Sequence, residues 1–148
     1  MKRMTSTDNN FNRRPQRGQS IVEFALMAPI LILLFMGMFD FGWILHKQIL
    51  MDNATRSGAR RGAVGDTNAS IKTSMVNSVT FPLTVEDITI QVLDPAGNPI
   101  GDSNDRTPDN IIKISINFNN VQLITPLAAL LEGMTAINLH SEARFLIE

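Results

Sequence analysis

The sequence has no cysteine and no tyrosine, and only one tryptophan and two histidines in 148 residues. The absence of cysteine excludes disulfides, thiolate nucleophiles, Fe–S clusters and Cys-ligated zinc together. With tyrosine also missing, the available nucleophiles are serine and threonine, and no pattern supplies them with a base. His46 and His140 lie far apart in the chain, each without a neighbouring ligand pattern. Gly-x-Ser-x-Gly, a phosphate-cradling glycine loop and His-Glu-x-x-His are missing as well. The expectation is a chain that is not an enzyme and takes no cofactor, metal or small-molecule substrate. A surplus of either charge is also lacking, since 13 Lys+Arg face 14 Asp+Glu for a net of −1. That balance argues against a nucleic-acid partner. The length suits one modest domain.

The balance conceals an asymmetry. Residues 1–18 carry five basic side chains (Lys2, Arg3, Arg13, Arg14, Arg17) against Asp8 alone, a net of +4. Residues 19–148 carry eight basic against 13 acidic, a net of −5. A basic segment running directly into an apolar stretch is a targeting and topology pattern.

Phe24 to Phe39 is uncharged throughout, and apolar character extends from Ile21 to Leu45 with only Glu23 and Asp40 intervening. As a helix these 25 residues rise roughly 37 Å, enough to cross a ~30 Å hydrocarbon layer. A cleavable secretory signal has a shorter apolar region followed by a small-x-small site. Here Asp40, Trp43, His46 and Lys47 follow instead, so the helix is expected to persist as a transmembrane segment with Trp43 near its outer end. The remaining residues are too few to bury so apolar a rod inside a soluble domain. Arg13, Arg14 and Arg17 crowd one flank and Lys47 alone stands close on the other. This places the basic side in the cytoplasm and the C-terminal bulk outside.

At the cytoplasmic edge the chain reads RGQSIVEF, Arg17 to Phe24. A basic leader ends in Gly18, the fifth residue after it is Glu23, and aromatic Phe24 follows. This resembles the processing site of type IV pilin-like proteins. The resemblance implies cleavage after Gly18 by a prepilin peptidase, leaving Gln19 as the new terminus and the helix in place. With Pro29, the Asp40-Phe41-Gly42 triplet and the small-residue segment Ala54 to Arg60, residues 17–65 resemble the TadE-like family. That family comprises pilin-like subunits of the tight adherence (Flp pilus) apparatus. A carboxylate at the hydrocarbon edge is costly unless paired. The resemblance implies that Glu23 meets the freed amine of Gln19 on a neighbouring subunit. Asp40, the second carboxylate in the apolar run, is a candidate intersubunit contact, a partner for Lys47, or a residue of the outer interface.

Helical patterning continues to about Arg61, with Arg56, Arg60 and Arg61 forming a basic, solvated face. Gly58 and Gly62 have close-packing spacing but lie outside the lipid. Gly65 to Asn68 is a turn, Ala69–Ser78 a short helix, and Val85–Leu93 and Ile111–Phe118 alternate as an antiparallel strand pair. The connector Asp94–Asn110 is rich in Pro, Gly and Asp. Its spacing does not match a calcium loop, and a solvated mobile surface loop is expected. Thr125-Pro126 opens a predicted helix to Leu131, ended by Gly133, and Ala136–Leu146 is the last strand.

The expected fold class is α+β: a long N-terminal transmembrane helix, as in a pilin spine, with a small exported head built on a roughly three-stranded antiparallel sheet. The expected segments are a cleaved cytoplasmic leader (1–18), a long helix (19–64, membrane-embedded over about 21–45) and the head (65–148). The sheet should dock on residues 47–64, because a head of this size is marginal by itself. The resemblance implies a minor pilin of Flp-type assembly. Its partners would be the prepilin peptidase, other pilin-like subunits, the tight adherence platform and membrane lipid. It would sit in the cytoplasmic membrane with its head outside. The alternative is an uncleaved single-pass membrane protein with an exported ligand-binding or interaction domain.

Overall fold

The computed structural model describes residues 17–101, 103–104, 106–126 and 137–147. It is an α+β chain ordered α1 (Arg17–Ala63), α2 (Asn68–Ser78), β1 (Ile88–Leu93), β2 (Ile111–Val121) and β3 (Ile137–Leu146). Two compact units are distinguished, Met1–Phe35 and Met36–Glu148.

In the first unit the described residues are the opening turns of α1. This helix contains an 18-residue window of mean hydropathy 2.3, none of it buried. It runs through Pro29, which contributes no N–H to the helical ladder. Long enough and apolar enough to cross a bilayer, it supports membrane anchoring.

The second unit holds the rest of α1 and the sheet. β2 is central and both neighbours are antiparallel to it. Ile112, Ile114 and Ile116 alternate onto one face and are fully buried, as their spacing predicts. Facing them on α1 are Met51, Ala54 and Ala59, with Ile71 and Met75 of α2 completing the core. Gly58 and Gly62 allow this approach. A Cβ at Gly58 would press on the Met75 sulfur and one at Gly62 would collide with the Ile112 Cδ1. The close-packing spacing therefore serves a helix-on-sheet contact within the chain.

α1 ends on a glycine in the left-handed region, Gly65 at φ +102. Its N–H donates to the Gly62 carbonyl and that of Asp66 to the Arg61 carbonyl, satisfying two of the last free carbonyls of the helix. Arg61 reaches back to Asp66 at 2.6 Å and to Ser70, so it is paired rather than merely solvated. The Thr67 side chain caps α2 by accepting from the Ser70 N–H.

Three expectations shift. β1 starts at Ile88, three residues later than the alternation predicts. The Asp87 carboxylate accepts from the Thr84 N–H and hydroxyl, bending Thr84–Asp87 into a turn. β2 continues to Val121, past Phe118. One extra residue between them forms a bulge, so Phe118 pairs with Leu139 but Val121 with Ile137. The bulge restores the inward phase at Val121, which a strict period of two would have placed outside. The third shift concerns the connector after β1, which is stitched down. Arg106 donates to the Ser103 carbonyl and the Asn68 side chain, and Asn68 donates to Ser103. Asp94 accepts from the Asn98 backbone and side chain across a turn at Gly97. The Asn98 N–H bond holds the Asp94 carboxyl below its ordinary range. Asp102, Asp105 and, past Pro126, the predicted helix to Leu131 with its ending Gly133 lie outside the described residues.

Candidate functional site

Gly18 sits in the first turn of α1, where backbone N–H groups have no intrahelical acceptor. Among the described residues, a Cβ built on Gly18 would meet nothing within 4 Å. The Gln19 side-chain amide donates to the Glu23 carboxylate at 3.0 Å, one helical turn on. Glu23 is exposed, and around it Ile21, Val22 and Phe24 are each 60% exposed or more. The structure thus brings Gln19 and Glu23 together on one face. Gly18 and Phe24 flank them, both exposed. Within the described chain the Glu23 charge meets only a neutral amide.

Asp40 is a different kind of site. It is buried at 3% exposure, and its carboxylate accepts the Ile124 N–H at 2.9 Å, the Thr125 N–H at 3.0 Å and the Thr125 hydroxyl. Pairing with Lys47, considered from sequence, does not form, since the two are seven residues apart and Asp40 spends its acceptors on the loop after β2. Lys47 is itself buried, with its ammonium 5.3 Å from the Trp43 ring and 5.7–5.9 Å from those of Phe118 and Phe81. Aromatic faces attract a cation where no carboxylate is offered. His46 lies exposed beside Trp43, with ring centroids 6.1 Å apart.

A buried polar network escaped the sequence reading. Ser141 on β3 donates to Asp52 of α1 at 2.6 Å and stands 2.8 Å from the Thr55 hydroxyl. Gln48 donates both to Asp52 and to the His140 carbonyl. Gln48, Asp52 and Thr55 follow i, i+4, i+7 on α1, a spacing that would have marked one helical face. On the outer surface of the sheet, Lys113 and Arg144 both bind Glu142. The Lys113 hydrogen bond foremost holds the Glu142 carboxyl below its usual range.

The model of the TadE-like protein family matches residues 18–60. This N-terminal segment is similar to that family. The match begins at Gly18 and takes in Glu23, Asp40 and the Gly58 approach to the sheet, associating the chain with Tad pilus proteins in general. No curated protein and no solved structure matches the chain.

Proposed function

We propose that this is a minor pilin-like subunit of a Flp-type tight adherence apparatus, released from its basic leader by a prepilin peptidase that cuts after Gly18. It acts by assembly and carries no catalytic residues. Its anchor lies in the cytoplasmic membrane with the head on the outer side, where it contacts other pilin-like subunits and the assembly platform.

The observation that carries this reading is the TadE-like match opening at Gly18 itself. The open space around Gly18 supports it, because no packing among the described residues requires a glycine there. A restriction to glycine would then belong to whatever recognises the segment from outside. The same space makes the test clean. Coexpressed with a prepilin peptidase, the chain should lose residues 1–18 by intact mass and begin at Gln19 by N-terminal sequencing. Gly18→Leu should leave folding and membrane fractionation unchanged while blocking cleavage. A leader retained by the native sequence in cells holding the active peptidase would overturn the proposal.

A further inference from the structure

Asp40 is placed oddly for a carboxylate. It directly follows the uncharged run Phe24–Phe39, and five further residues of apolar character, Phe41 to Leu45, come after it. A helix crossing the bilayer through these residues carries Asp40 into the outer boundary of the hydrocarbon, where an unsatisfied carboxylate costs several kcal/mol. The loop after β2 meets it there. In that setting irregular backbone is tolerated only when its polar groups find partners within the protein. The Ile124 and Thr125 N–H groups and the Thr125 hydroxyl all donate to Asp40. Pro126, next in the chain, has no N–H to satisfy. Three successive residues thus present no unpaired backbone donor, and one carboxylate gains three hydrogen bonds.

The side chains around this latch are apolar and uncovered. Ile124 is 61% exposed, beside an open hollow that it lines with Met38, Phe39, Gly42, Trp43, His46 and Thr125. Met38 and Phe39 are 64% and 72% exposed. In the chain, Met38 and Phe39 close the uncharged run that begins at Phe24. Trp43, with a polar indole N–H and an apolar ring, suits the head-group layer.

We propose that the loop 122–126, latched by Asp40, is seated in the outer leaflet, with Ile124 among the upper acyl carbons as a second membrane contact of the head. The occupant of the hollow is lipid. The inference rests on the anchoring of α1, not on its processing.

The cysteine-free sequence makes the test direct. Single cysteines replacing Leu33, Ile124 or Ala96 are labelled with an environment-sensitive fluorophore in the full chain. The labelled chains are reconstituted sparsely in phosphatidylethanolamine–phosphatidylglycerol vesicles. Leu33 lies mid-anchor by sequence, and Ala96 is exposed in the turn at the β1 end that pairs with Ile111, away from Val121. Probes at 33 and 124 should emit to the blue of the probe at 96 and be quenched by nitroxide lipids. The probe at 96 should be quenched by iodide alone. Asp40→Ala in the Ile124→Cys background should at least halve the lipid quenching, and unchanged quenching would overturn the latch. Iodide access at 124 with lipid quenching at 33 would overturn the inference while leaving the anchor intact. Iodide access at both would overturn the anchor and the inference with it. Lipid-like emission at 124 that appears only as chains are crowded would assign the hollow to a second copy and overturn lipid as its occupant.

Discussion

Ser141 faces inward from β3 at 4% exposure, on the side where alternation predicts apolar packing. Its single hydroxyl hydrogen is donated to Asp52, which leaves its oxygen as one acceptor within reach of the Thr55 hydroxyl, beside the Met51 and Asp52 carbonyls. Ser141→Ala therefore removes a donor from a part-buried carboxylate, while the Thr55 hydroxyl keeps the Met51 carbonyl as an acceptor. The expected cost is about 1–3 kcal/mol in denaturant unfolding of the full chain in detergent. Thr55→Val leaves the Ser141–Asp52 bond intact and should cost less. A double-mutant cycle between the two should show coupling, and strict additivity would count against the network. The inward phase of Ser141 is legible in the sequence. Its partner is not, because Asp52 lies 89 residues away and local spacing carries no information about such pairs. Asp40 is illegible for the same reason. The sequence marks it as an expensive carboxylate, whereas the loop that satisfies it comes 84 and 85 residues later.

Elements were more readily foreseen than their ends. Long periodic segments give α1, α2 and the three strands, because hydrophobic spacing is repeated many times in each. The start of β1 and the end of β2 depend on single events, an aspartate closing a turn and one bulged residue, which periodicity does not encode. The two glycines of α1 allow a quantitative test at this scale. Replacing a helical glycine by alanine gains about 1 kcal/mol of helix propensity, while overpacking a core costs about 1–3 kcal/mol. At Gly58 the obstructing atom is the sulfur of Met75, on a side chain with three rotatable bonds. At Gly62 it is the Cδ1 of Ile112, fully buried on the central strand and stiff at χ1. Gly58→Ala should accordingly be near neutral, and Gly62→Ala should be destabilising by roughly 1 kcal/mol. Equal stabilisation of both variants, measured by denaturant unfolding in detergent, would mean that the sheet does not press on α1 as described.

For the whole molecule, charge is the quantity that changes with processing. The uncut sequence is close to neutral, while the chain from Gln19 onward carries −5 in side chains and gains one terminal amine. That amine arises one helical turn from Glu23, whose carboxylate meets only the Gln19 amide among the described residues. A carboxylate near the hydrocarbon edge that stays ionised needs a cation, and none of the ion pairs in the described chain includes Glu23. If the cation is the cleaved amine of a neighbouring subunit, Glu23 contributes to association and not to insertion, which the apolar run drives unaided. Glu23→Gln keeps the shape and the hydrogen bond to Gln19 but removes the charge. It should partition into membranes like the native chain. Recovery of the processed variant with other pilin-like subunits should fall at least tenfold, equivalent to about 1.4 kcal/mol per contact. Counting only chains already shortened to Gln19 separates this effect from any change in cleavage. Native recovery of the shortened Glu23→Gln chain would mean that Glu23 is held by its own Gln19 or by head groups, and that assembly relies on the apolar surface alone.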